Sequence, residues 1–240
     1  MRYFCLFLFA FINCSQKENS INNKPIVSVS VLNQNSQYEF PLYDTMKMRL
    51  HHYRKMIASS TVSRNYDSLE KFFVSVVVDS IIPYWYGTVW DFNGTTQIPR
   101  KGTIACGYFV STVLRDAGIP LDRVRMGQAA SEIMTRQLSK KNDIKIFYDV
   151  PLDTSLSFVR KKGPGLFIAG LDYHIGFLYY DGITIWFIHA KWINPKAVVK
   201  EEALRSGVLY YSKYLMIGKI SNNRKLLERW IFSEESQGSR

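Results

Sequence analysis

Cysteine and histidine are scarce in this chain: its 240 residues hold three of the first and four of the second. There is no Cys-x-x-Cys pair and no Cys/His cluster at zinc-ligand spacing, which argues against a structural metal. A histidine-only metal site would have to borrow Cys106 as its third ligand. Glycine-rich phosphate loops and internal repeats are absent too, so nucleotide-cradling and repeat architectures have nothing to rest on. The apolar run Tyr3–Ile12 is ten residues, about half the ~20 that a membrane-spanning helix needs. What is plentiful is aromatic side chain (15 Tyr, 15 Phe, 5 Trp) and positive charge, net +11. The aromatics supply ample core for one folded domain. The charge suits anionic envelope polymers or lipid headgroups, or simply a soluble basic surface; without a nucleic-acid-binding motif, nucleic acid is not an expected partner.

The first residues, "MRYFCLFLFAFINC", have the short apolar stretch of a secretory signal. Cys14 ends it as the acylated cysteine of a bacterial lipobox does, with Asn13 where a small residue is usual; an ordinary export signal with an incidental cysteine is the alternative. Both readings imply export, and the first a lipid anchor on Cys14 in the periplasm or outer membrane. Removal or acylation of this segment takes Cys5 and Cys14 out of play, leaving Cys106 as the only free thiol. Residues 15–37 read as a polar tether in which "IVSVSVL" is a possible short strand, and 38–82 as a helical extension. In that extension Leu42, Met46, Leu50, Tyr53 and Ile57 recur at steps of three and four, one apolar stripe. Asp67 and Glu70 have capping-box spacing, and "VSVVVDSII" continues the helix or switches to strand. The insert 121–162 carries no readable pattern, and 221–240 reads as a C-terminal tail.

In "IACGYFVSTVLRDAGIP", Phe109, Val110, Val113, Leu114 and Ala117 share one helical face, and Gly118 with Pro120 supplies the stop. Cys106 therefore opens an amphipathic helix. Unpaired N–H groups and the positive dipole end favour a thiolate there and lower its pKa. Further on, "DYHIGFLYYDGITIWFIHAKW" reads as two strands joined by Asp181-Gly182. A two-residue turn at that dipeptide sets His174 directly opposite His189, close enough for one imidazole to orient the other. A thiol at a helix start and an oriented base are the parts of a cysteine nucleophile.

These segments resemble the NlpC-type cell-wall peptidases, papain-like cysteine hydrolases of bacteria. The likeness covers about 83–220 and rests on "PYWYGT", "ACGYFVSTVL", "HIGFLYYDG" and "FIHA", in that order. The chain departs from the family where Ala105 and Gly107 flank Cys106 and where Thr88 stands for a glycine. The resemblance implies an α+β, papain-like fold with the Cys106 helix on an antiparallel sheet. It implies Cys106 as nucleophile, His174 as general base, His189 as its orienting partner and Tyr84 beside the oxyanion hole with the Cys106 N–H. It also implies a peptidoglycan stem peptide as substrate, cut between D-glutamate and the diamino acid, with no cofactor. The same residues leave open an amidase or acyltransferase acting on another envelope substrate, and a non-catalytic binding module of the same fold.

Overall fold

The six strands that form the main sheet alternate between two apolar environments, and helices cover both faces. The structure, a computed structural model, describes residues 39–60 and 65–233. A short parallel pair, β1 (Val89–Trp90) and β2 (Thr103–Ile104), forms a sheet of its own, and the main sheet runs β3 (Ile144–Tyr148), β8 (Tyr214–Lys219), β4 (Gly165–Leu171), β5 (Ile175–Tyr180), β6 (Ile185–Ala190) and β7 (Val198–Glu202) from edge to edge, with every neighbouring pair antiparallel. Helix accounts for 48% and strand for 22%, so the chain is α+β. The central strand β4, "GLFIAGL", is buried along its whole length, as a strand covered on both faces must be. The edge strand β7, "VVKEE", carries charge instead, which keeps an exposed edge from pairing with other chains.

One face, through Leu166, Ile168, Ile175, Phe177 and Ile188, packs against α4 (Cys106–Asp116) and the N-terminal helices; the other, through Phe167, Leu178, Phe187 and Ile217, packs against α7 (Leu152–Lys162). The segment 38–82 contains α1 (Glu39–Ala58) and α2 (Tyr66–Ser75), then a π-helical stretch, Val76–Ile81, that continues into α3 (Ile82–Trp85). "VSVVVDSII" is thus helical: its valines pack the core from a helix. The cap of α2 is Asn65, whose side chain accepts the Ser68 N–H at 3.1 Å, so the Asp67/Glu70 capping box is not formed. Glu70 turns instead to Ser221 Oγ at 2.7 Å and Lys219 Nζ at 3.1 Å. On α1 the buried stripe runs through Tyr43, Leu50 and Arg54, while Tyr53 is exposed. A one-residue rotation of the expected face brings Tyr43 inward, where its hydroxyl donates to Asp116 at 2.7 Å and accepts Trp85 Nε1 at 2.9 Å.

The stretch 221–240, expected as a tail, contains a packed helix, α9 (Arg224–Phe232). Trp230 of α9 is fully buried and donates Nε1–H to Ala117 O at 2.8 Å, next to the end of α4. Arg54 of α1 reaches the Trp230 carbonyl from the other side. Gly118, at φ +98°, ends α4 in the left-handed conformation glycine favours. The insert 121–162 contributes α5 (Arg123–Gly127), α6 (Ser131–Leu138), β3 and α7. Residues 1–38, including the expected signal, the tether and the acylation site Cys14, lie outside the described residues. Among the described residues no helix is long and apolar enough to cross a membrane.

Candidate active site

Cys106 is the first residue of α4, and the preceding Ala105 is extended and provides no side-chain cap. The first-turn N–H groups of Cys106 and Gly107 are thereby left uncapped, and both act to lower the pKa of the thiol. The N–H of Ile175, first residue of β5, favours the thiolate in the same way. Ile175 is the residue that follows His174. Gly107 has a physical reason to be glycine: a Cβ there would sit 2.3 Å from the carbonyl oxygen of Gly127, which packs α5 tightly against the first turn of α4. Thr88, the other departure from the family pattern, is fully buried and accepts the Arg100 N–H at 2.9 Å through its hydroxyl.

The histidines meet, but by a different register from the one expected. The connection between β5 and β6 has four residues, Asp181–Thr184, because Asp181 Oδ1 accepts the N–H groups of both Ile183 and Thr184, at 2.8 and 2.7 Å. Tyr180 consequently pairs with Ile185 and Phe177 with Ile188. Continuing this register puts Gly176, not His174, opposite His189, and makes the two histidines diagonal neighbours. Diagonal side chains lie farther apart than direct pairs, and the rings bridge the gap: His174 Nε2 is 2.8 Å from His189 Nδ1, with planes at 83°. Gly176 makes that approach possible. A Cβ on it would lie 2.7 Å from Phe187 Cε2, 2.8 Å from His189 Cβ and 3.0 Å from Ile188 O. Phe187 stacks on the His189 ring at 4.0 Å between centroids. Gly176→Ala is expected to destabilise the fold by about 1–3 kcal/mol through overpacking and to separate the imidazoles. Thermal unfolding and the imidazole resonances in NMR will show both effects.

The relay extends beyond the pair to residues that the sequence did not mark. His189 Nε2 is 3.2 Å from Glu201 Oε1 on β7, and Glu201 Oε2 accepts Lys191 Nζ at 2.7 Å. Burial would raise the Glu201 carboxyl, but hydrogen bonds from His189, Lys191 and Ser206 bring it down to about 2. Glu201 is thus ionised at neutral pH and only accepts. That fixes the tautomers in sequence. His189 carries its proton on Nε2 and presents a bare Nδ1; His174 donates Nε2–H to that nitrogen; His174 Nδ1 is then the unprotonated nitrogen. Burial, and then the neighbouring His189, hold His174 well below the ordinary imidazole range, with Glu201 opposing. Burial likewise lowers His189, against the Glu201 carboxylate. Both rings are neutral at pH 7.

The thiol departs from expectation. Burial pushes Cys106 above the ordinary cysteine value, and the N–H groups of Ile175, Gly107 and Cys106 itself offset this only in part. Desolvation of the thiolate outweighs the helix terminus here. With the thiol raised and the imidazole lowered, Cys106 and His174 are both neutral at pH 7. Alkylation of Cys106 by iodoacetamide is accordingly expected to reach half its maximal rate at a higher pH than in a short cysteine peptide. A lower midpoint would mean that the helix N-terminus prevails over burial.

The ring of Tyr84 is seated on Tyr43 of α1, centroids 5.1 Å apart, which ties the expected oxyanion residue to the N-terminal helix. Among the described residues no group of three or more His, Cys, Asp and Glu side chains is placed to hold a metal ion. Comparison with family models, curated proteins and solved structures finds no match to this chain.

Proposed function

We propose that the chain is an exported cysteine hydrolase of papain-like, NlpC-type fold that cleaves an amide bond in peptidoglycan stem peptides, the bond between D-glutamate and the diamino acid being the one the resemblance implies. The observations that carry this reading are the polarised relay Glu201–His189–His174 and, next along the chain from His174, the Ile175 N–H that acts on the thiol of the helix-opening Cys106. In the first step His174 Nδ1 takes the Cys106 proton as sulfur attacks the amide carbonyl. The new imidazolium is stabilised through His189 by the Glu201 carboxylate. The Cys106 N–H, with the Tyr84 hydroxyl as the family likeness assigns it, faces the developing oxyanion. His174 then protonates the leaving amine, and water, deprotonated by the same nitrogen, releases the acyl group and restores the thiol. A lipid anchor at Cys14 and the basic surface would hold the enzyme at the envelope.

The test is mass spectrometry of peptidoglycan and soluble muropeptides after incubation with residues 15–240, with Cys106→Ala as control. New stem-peptide fragments that the control does not produce establish the hydrolase, and their masses identify the bond. No fragments from a folded wild-type protein would remove the peptidase reading and leave another acyl substrate or a binding role.

A further inference from the structure

At the end of the sheet where His174 stands, three loops bring exposed tyrosines together. Tyr148 closes β3, Tyr173 lies in the turn before His174, and Tyr210 and Tyr211 precede β8. Their exposures are 69%, 97%, 68% and 81%, far more than a core aromatic shows. The loops are tied to one another. Asp172 Oδ2 accepts from Ser212 Oγ and from the N–H of Lys213 at 2.9 Å each, and the Asp149 N–H donates to Lys213 O at 2.7 Å. Tyr210 and Tyr211 are themselves edge to face, with centroids 5.1 Å apart. Tyr210 also borders a shallow crevice between α7 and the 209–213 loop. The tyrosines sit on short connections at one end of the sheet, and Tyr173 adjoins His174 in the chain.

Resting on the hydrolase reading, we propose that this tyrosine corner is a saccharide subsite, which seats the glycan attached to the stem peptide while His174 and Cys106 address the peptide itself. Tyrosine offers a flat apolar face and a hydroxyl at low conformational cost, and a pyranose ring presents the complement: a C–H face edged with hydroxyls. A lipid-inserting patch would draw on exposed Leu, Ile or Phe, whereas the large exposed side chains of these loops are tyrosine, with Val150 at 37%. The corner runs from β3 to β5, three strand spacings or roughly 14 Å, a length that a short oligosaccharide fills. Exposed aromatic patches of this kind mark binding surfaces in soluble proteins.

The experiment is titration of the full-length Cys106→Ala protein with the free N-acetylglucosamine–N-acetylmuramic acid disaccharide, followed through the tyrosine ring signals by NMR. Saturable shifts of these signals are expected. The Tyr210→Ala/Tyr211→Ala double variant, shown to be folded by its thermal unfolding, should bind at least ~10-fold more weakly, as loss of two stacking rings implies. No saturable shift, or equal affinity in the double variant, overturns the proposal. Hydrolysis of a sugar-free stem peptide by the wild-type protein is scored separately. Cleavage without sugar binding sinks the subsite and leaves the hydrolase; sugar binding without cleavage does the reverse.

Discussion

Cys106→Ser is expected to lower kcat/KM for stem-peptide cleavage by at least ~10⁴-fold, the order seen when a catalytic nucleophile is removed, while the protein stays folded. The serine hydroxyl is smaller than the thiol, so it fits the space at the start of α4 without disturbing the packing. The chemistry is disturbed. An alcohol is far harder to ionise than even a buried thiol, and His174, held below the ordinary imidazole range by burial, is too weak a base to compensate. Progress curves with purified muropeptides, beside circular dichroism of both proteins, give the result. Serine-variant activity near that of wild type would take the nucleophile role away from Cys106.

Glu201→Gln has the second-largest expected effect, and it acts without touching substrate. The carboxylate accepts from His189 and thereby sets which nitrogen of each ring carries a proton. Glutamine keeps the volume but brings an NH₂ group that can face His189 Nε2. In that arrangement His189 donates from Nδ1, His174 must accept on Nε2, and its proton moves to Nδ1, the atom needed as base. Loss of kcat by ~10²–10⁴-fold is expected, comparable to amide-for-carboxylate exchanges behind other catalytic imidazoles. A purely structural role would leave the imidazole tautomers as they are. Nitrogen-15 NMR of the histidine rings separates the two: exchange of the protonated nitrogen on His174 supports the relay, and unchanged tautomers with full activity remove Glu201 from it. Glu201→Asp, which keeps the charge, should recover part of the lost rate.

The legible parts of this fold were those in which pattern and punctuation agree. The α4 helix was visible from its five-residue apolar face and its Gly118 stop, and those residues are buried as expected. The meeting of His174 and His189 is legible in the sequence, but its register is not. Asp181-Gly182 suggested a two-residue turn, yet the Asp181 carboxylate holds a four-residue one, and the missing side chain at Gly176 then lets diagonal rings touch. The helix α9 carries a signal, with Asn223 as cap and Leu226, Leu227, Trp230 and Ile231 at helical steps, although it lies beyond the stretch of the family likeness. Glu201 had no such signal. It is one acid among the charges of an edge strand, and only the pairing of β6 with β7 shows that its side chain reaches His189. The thiol's raised pKa was equally invisible, since burial depends on what α4 packs against and not on the position of Cys106 in it.

The β5–β6 turn has a practical consequence. It lies six residues, about 20 Å of strand, from the end of β5 that adjoins His174. Ile183 at its tip is 93% exposed, and the turn's conformation is set by its own aspartate. Loop tips of this kind tolerate insertions. An affinity peptide placed between Gly182 and Ile183 would let the protein be captured or immobilised with its reactive end facing outward, leaving both termini, and the acyl group expected at Cys14, in their native chemistry.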